Sequence, residues 1–156
     1  LNQKTAQNSS IIIRAARSDD LPTLVELTVQ LGYPAQVASL EARLQEVSAD
    51  ATQMVFVAEG PDGRPIGWVH VLRQMYFEIE PFAEIGGLVI AEQQRGLGAG
   101  RALMQAAEAW ALQQGLQSVR LRSNATRTGA QAFYRRIGYE VEKTQTAFFK
   151  QLSIDE

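Results

Sequence analysis

Leu88-Val89-Ile90-Ala91-Glu92-Gln93-Gln94-Arg95-Gly96-Leu97-Gly98-Ala99-Gly100-Arg101 is the stretch on which the fold turns. An apolar strand end runs into a glycine-rich turn, and the turn opens a helix. The first backbone N–H groups of a helix have no partner inside it and sit at the positive end of its dipole. Glycines there let an anion reach the backbone without meeting a Cβ, so the segment reads as a phosphate cradle. Arg95 and Arg101 add full positive charges at its rim. A P-loop would end in Gly-Lys-Ser/Thr, whereas Gly100 is followed by Arg101-Ala102. A dinucleotide fingerprint would place a third glycine at position 101 and an acid about 20 residues further on. Position 101 is Arg, and the later region reads Arg120-Leu121-Arg122.

Upstream of this segment the spacing predicts a strand at Ile11–Ile13 and a helix opened by Ser18-Asp19-Asp20. That helix carries Leu21, Leu24, Val25, Thr28 and Leu31 at helical spacing and stops at Gly32 and Pro34. A second amphipathic helix aligns Val37, Leu40, Leu44 and Val47. Met54–Ala58 and Ile66–Leu72 flank the turn Pro61-Asp62-Gly63 and read as an antiparallel hairpin, with His70 an ordinary strand residue inside its apolar run. A third strand, Glu84–Ile90, follows Pro81 and contains Gly86-Gly87, a pair that marks a bulge or a close backbone approach.

Downstream, a helix over 98–114 presents Leu103, Ala106, Ala107 and Trp110 inward, and Val119, Leu121 and Ser123 alternate with Arg120 and Arg122 as a strand. Ala130, Phe133, Tyr134 and Ile137 form a last helix ended by Gly138, and Tyr139–Lys143 and Ala147–Leu152 read as two closing strands. The expected order is βααβββαβαββ. This is an α/β (α+β) fold with a mixed, mostly antiparallel sheet of about six or seven strands and about four helices. One domain is expected over 11–153, after a polar N-terminal tail at 1–10.

Charge is unevenly placed. The chain carries a formal net charge of -2, which argues against a dedicated nucleic-acid binder. Yet residues 95–136 hold seven arginines and one acid, while residues 1–94 hold six basic and twelve acidic residues. A local positive field in an acidic protein fits a polyanionic ligand. The absence of cysteine removes disulfides, thiolate metal sites and cysteine nucleophiles, and a single histidine gives a zinc site or a histidine triad little to work with. No run reaches the roughly 20 apolar residues a membrane helix needs, and the polar start lacks a signal-peptide core, so a cytoplasmic protein without membrane partners is expected.

Arg95-Gly96-Leu97-Gly98-Ala99-Gly100 resembles the Arg/Gln-x-x-Gly-x-Gly/Ala pyrophosphate loop of the GNAT superfamily of N-acetyltransferases. Asn124 and Ala130-Gln131-Ala132-Phe133-Tyr134-Arg135-Arg136-Ile137-Gly138-Tyr139 are similar to that family's second characteristic segment, and the element order agrees over nearly the whole chain. The resemblance implies acetyl-CoA as cosubstrate, with no metal. Backbone groups of Leu88, Val89 and Ile90 would hold the pantetheine arm, Arg95, Gly96, Leu97, Gly98, Ala99, Gly100 and Arg101 would cradle the pyrophosphate, and Asn124 would reach the pantetheine. By the same analogy a homodimer is expected.

Acetyl transfer to an amine requires the amine in its neutral form, a donor for the oxyanion and a proton for the departing thiolate. A backbone N–H of Leu88 or Val89 fits the second need, and Tyr134, at the position of the family's tyrosine near the coenzyme A sulfur, fits the third. Glu84, at the start of the strand that would carry the pantetheine, is the candidate base. Tyr33, Tyr76, Phe77 and Glu84 are the candidate acceptor-side residues. Their types leave the acceptor open among a small amine, an aminoglycoside, an amino acid and a protein N-terminus or lysine. A catalytically silent acyl-CoA-binding regulatory module is the alternative reading; it would bind acetyl-CoA without amine-dependent thiol release.

Overall fold

The computed structural model describes residues 11–123 and 128–154. These fall into two compact units, one ending at Arg122 and the other beginning at Ser123. The expected N-terminal tail and Asn124 lie outside the described residues.

The first unit holds strands β1 (Ile12–Ala15), β2 (Gln53–Glu59), β3 (Pro65–Tyr76), β4 (Ile79–Ile90) and β5 (Val119–Leu121), with helices α1 (Leu21–Leu31), α2 (Val37–Ala49) and α3 (Ala99–Gln113). The second holds helix α4 (Thr128–Arg136). The strands form one sheet in the order β1-β2-β3-β4-β5, antiparallel throughout except for the parallel β4–β5 pair. A parallel neighbour needs a crossover, and α3 supplies it. α1 and α3 both lie against β3 and β4, α2 against β2.

The helix patterns translate directly. Leu21, Leu24 and Leu27 bury one stripe of α1, and Ala99, Leu103, Met104, Ala107, Trp110 and Ala111 bury one face of α3. Leu103 and Met104 are wholly enclosed, each stabilising the fold by roughly 1.5–3 kcal/mol. Gly32 ends α1 at φ 109°, where its N–H reaches back to Val29 and the N–H of Tyr33 reaches Thr28. Gly138, at φ 99°, closes α4 in the same manner, as its position predicts.

Two expectations are corrected. The sheet has five strands among the described residues instead of six or seven, and no strand is assigned over 139–152. The apolar content of Ala147–Leu152 signals strand propensity, but a strand exists only where a neighbouring edge takes its hydrogen bonds. Phe148 and Phe149 are instead 94% and 87% exposed. The third strand is also longer than Glu84–Ile90, since β4 begins at Ile79 and runs through Pro81. Register shifts between Gln74 and Tyr76 at that point, so Pro81 falls where the ladder is already interrupted and its missing N–H costs no bond.

Asp20 is turned inward, 4% exposed. It receives both terminal nitrogens of Arg14 at 2.8 Å and the backbone N–H of Arg17 at 2.8 Å, tying β1 to the start of α1. Glu59 on β2 takes the third guanidinium nitrogen. Burial pushes the Asp20 carboxyl up, but these charge-assisted bonds outweigh it and hold it below its ordinary value.

Candidate active site

The site is built on a fault in β4. His70 pairs with Gly87 and Val71 with Ile85, which leaves Gly86 opposite no residue: it is the bulge that the Gly-Gly pair predicts. A Cβ at Gly86 would stand 2.9 Å from His70 Nδ1, and one at Gly87 would stand 2.8 Å from the Trp68 ring, so both positions need glycine for space.

The bulge changes what covers the outer edge of β4. Before it, β5 pairs with Ala83, Glu84 and Ile85, and the Ala83 N–H bonds to Ser118 at 2.9 Å. After it, among the described residues, no strand pairs on that side. Ala91 donates to Ile66 on the β3 side at 2.7 Å. Alternation along a strand then turns the Val89 groups toward β3 and those of Leu88 and Ile90 toward the open edge. Of the three residues expected to offer backbone groups outward, the register therefore gives two. Gln30 of α1 occupies part of this edge, donating to the Ile90 carbonyl at 2.8 Å and accepting from the Glu92 N–H at 3.2 Å. That cross-link spans about 60 positions of sequence, and no local pattern announces it.

The glycine loop follows directly. Gly96 and Gly98 take left-handed φ of 81° and 86°, a region that favours glycine, and Gly98 caps α3. Around both, a Cβ would meet nothing within 4 Å, so the backbone is open to a ligand. The first N–H groups of α3, a long helix, begin there, with Arg95 and Arg101 exposed beside them. Open backbone, left-handed glycines and flanking guanidiniums together suit a pyrophosphate.

Glu84 shares a sheet face with Leu72, its partner across the ladder, and with His70 two residues away. Its side chain is 15% exposed; Oε1 lies 3.5 Å from the exposed Arg122 guanidinium, and Oε2 is buried with no hydrogen-bond partner. Trp68 Nε1, on the same face, is also buried without a partner. Two unsatisfied polar atoms on one face form a surface that a polar ligand would complete.

Tyr33 follows α1 and is exposed. Tyr76 and Phe77 lie at the tip of the β3–β4 hairpin, where Tyr76 pairs with Ile79 and packs edge-on against Phe82 at 5.5 Å. Strand rise puts that tip about 17 Å from Glu84 along β4 and further still from Leu88, so the structure does not bring these two aromatics to the open edge. In the second unit, Tyr134 contacts Phe133 and Tyr139 edge-on at 5.2 and 6.1 Å. Burial pushes its phenol above the usual value, so it is a protonated donor at neutral pH. Among the described residues no cluster of three or more His, Asp or Glu side chains is disposed to hold a metal, and no helix is long and apolar enough to cross a membrane.

The family model described as Acetyltransferase (GNAT) family matches residues 14–139, from the end of β1 through the bulge, the glycine loop and α4. The chain belongs to the GNAT family of acetyltransferases. Among curated proteins it is 32% identical, over 91% of its length and 94% of the relative's, to an aminoglycoside N(6′)-acetyltransferase type 1 of Stenotrophomonas maltophilia. A putative acetyltransferase from Agrobacterium tumefaciens superposes with a TM-score of 0.77 at 27% identity, covering 90% of this chain and 100% of the other. The aminoglycoside acetyltransferase AAC(6′)-Iy, solved with a CoA-acetylneamine bisubstrate analogue, shares the fold with a TM-score of 0.81 at 19% identity over 92% of this chain and all of that one. As a GNAT acetyltransferase the chain is an acyltransferase whose cosubstrate is acetyl-CoA, and the open cradle at Gly96 and Gly98 fits that group.

Proposed function

We propose that this GNAT protein moves the acetyl group of acetyl-CoA directly to a primary amine, with the 6′-amine of an aminoglycoside as the leading acceptor. The observation that carries the amine reading is Glu84 Oε2, buried and unpartnered on the strand whose outer edge opens two residues later. The aminoglycoside class is supported by the relative that matches nearly end to end.

In this reading the pyrophosphate lies on the α3 N-terminus between Arg95 and Arg101, over the backbone of Gly96, Leu97, Gly98, Ala99 and Gly100. The pantetheine arm runs along the open β4 edge and bonds to the outward groups of Leu88 and Ile90, while Asn124 takes part from its place in the family segment. An alkyl ammonium, with a pKa of about 10.4, must lose a proton before it attacks. Glu84 receives that proton, through water, and its negative charge draws the cationic acceptor in. The amine nitrogen bonds to the thioester carbonyl carbon, and the Leu88 N–H meets the oxyanion. As the C–S bond breaks, the nitrogen gives its second proton to water, and Tyr134 supplies a proton to the thiolate and regains one from solvent. Tyr33, exposed at the exit of α1, lines the acceptor side. The whole of 11–153 acts as one acetyltransferase domain, as a homodimer in the cytoplasm.

The test is free-thiol release from acetyl-CoA across polyamines, aminoglycosides, amino acids and short peptides. Release with 6′-amino aminoglycosides and not with 6′-hydroxy analogues supports the assignment. Release with another amine class alone corrects the acceptor, and tight acetyl-CoA binding with no release by any amine turns the reading to a silent binding module.

A further inference from the structure

His70 is the chain's only histidine, and what holds it is a relay of fixed polarity. Asp50 Oδ1 accepts from the N–H and hydroxyl of Thr52, at 2.9 and 2.7 Å, and Oδ2 accepts from Gln53 Nε2 at 2.8 Å. These bonds hold the Asp50 carboxyl below its ordinary value, so it is an ion that can only accept. The Gln53 amide must therefore aim its nitrogen at Asp50 and its oxygen the other way. That oxygen lies 2.9 Å from His70 Nε2. A carbonyl oxygen cannot donate, so Nε2 carries the hydrogen and, in the neutral ring, Nδ1 carries a bare lone pair.

Nδ1 stands over the β4 bulge, at the point where a Cβ on Gly86 would approach to 2.9 Å. Gly86 is exposed and His70 half-buried, and the ring lies on the sheet face that carries Glu84 and Trp68 Nε1. The charged groups on that face are Glu84, with Arg122 3.5 Å from it and Arg120 as its neighbour in the β4–β5 ladder, and Asp50 acting through Gln53. Leu31 of α1, which reaches Gly87, adds no charge. Burial lowers the basicity of the ring and the Glu84 charge partly restores it, which leaves the imidazole neutral at pH 7.

We infer that His70 is a proton acceptor of this site: the Asp50–Gln53 relay fixes its tautomer so that Nδ1, beside the Gly86 bulge, takes the proton of the acceptor amine while Glu84 balances the imidazolium. One N–H bond of the ammonium breaks and one Nδ1–H bond forms. The neutral amine then attacks, and the imidazolium returns its proton to solvent after the acetyl group has moved. Resting on the amine-transfer reading, this puts Nδ1 in place of Glu84 as the first holder of the ammonium proton, leaves Glu84 as its counter-charge, and accounts for a glycine at position 86.

A single histidine makes the first half directly visible. Long-range 15N–1H NMR of the wild type at pH 7 should show neutral His70 with the hydrogen on Nε2, and Gln53→Leu should release that preference. A hydrogen on Nδ1, or an imidazolium at pH 7, overturns the proposal whether or not turnover is found. The second half is read with the acceptor amine that the thiol-release panel identifies. His70→Gln keeps an amide toward Gln53 but has no basic nitrogen. Its kcat/KM for the amine should fall on the order of 100-fold at pH 7 and recover as pH nears the pKa of the amine, with the KM for acetyl-CoA unchanged. A loss equal at every pH, or no loss, overturns the role of His70 alone. A wild type that releases no thiol with any amine overturns the transferase reading, and the proton-acceptor role with it. Should His70→Gln not fold, Gln53→Leu carries the same test, with a smaller loss of the same pH dependence.

Discussion

The side-chain amide of Gln30 is joined to the end of β4 through Ile90, whose carbonyl it meets at 2.8 Å while its own oxygen takes the Glu92 N–H at 3.2 Å. In effect one side chain continues the sheet for one residue pair, at the place where the strand gives way to the glycine loop. Helix α1 is thereby tied to the start of the glycine loop. Gln30→Ala should raise the KM for acetyl-CoA about five-fold, the equivalent of one ordinary hydrogen bond of about 1 kcal/mol, with a smaller change in kcat. Steady-state kinetics with acetyl-CoA varied checks this, and an unchanged KM would show that the loop holds its shape without α1.

Gly86→Ala places a methyl group 2.9 Å from His70 Nδ1 and 3.3 Å from Leu72 Cδ2. The His70 ring is held on its far side by Gln53, so relief comes from breaking that bond or moving β4. The expected cost is about 1–3 kcal/mol of stability by urea denaturation, with activity falling further than stability alone explains. Wild-type stability and turnover would contradict the close packing at the bulge.

Asp20 sets an acid limit on the fold. Its folded pKa lies below the unfolded value, so its contribution is fully present above the ordinary carboxylate range near 3.9 and is lost as pH falls through the depressed folded value. Stability should therefore decline below about pH 4 with an Asp20 share that Asp20→Asn removes. At pH 7, Asp20→Ala should cost about 3 kcal/mol, because it leaves the half-buried Arg14 with Glu59 alone. Urea titrations at several pH values test both statements.

Much of this architecture is legible in the sequence, for reasons that name their own limits. The turn into α3 is legible because left-handed φ at Gly96 and Gly98 is a local demand of the backbone. Gly86-Gly87 reads as a bulge because glycine inside an apolar strand is costly without a reason. Pairing is different. Tyr139–Lys143 and Ala147–Leu152 have strand-like residues, yet strand formation depends on an edge elsewhere, and the described residues form five strands. Pro81 looks like a boundary, but a bulge can absorb a proline, so β4 starts earlier. His70 reads as a plain strand residue because its meaning lies in Gln53, 17 positions away, and Gln30 is silent for the same reason. Ser18-Asp19-Asp20 reads as a helix start, and the bidentate grip of Asp20 on Arg14 is a tertiary fact that helix-start preferences do not contain.

Tyr134 offers a phenol that burial keeps protonated well into alkaline pH. If it delivers a proton to the leaving thiolate, Tyr134→Phe should lower kcat by about 100-fold while leaving the KM for the amine nearly unchanged. Replacing the thioester by one with a more acidic thiol should shrink that loss, since a better leaving group needs less help. An equal loss with both thioesters would assign the phenol to packing against Phe133 and Tyr139.

The central claim is direct acetyl transfer to an amine, and the product reports on it most directly. Wild-type protein, acetyl-CoA labelled with 13C in the acetyl group and an aminoglycoside bearing a 6′-amine should give one labelled amide at that nitrogen, seen by NMR and mass spectrometry, with one free thiol per acetyl group transferred. Thiol release without a labelled amide, or a label found on the protein itself as a stable product, would contradict the account.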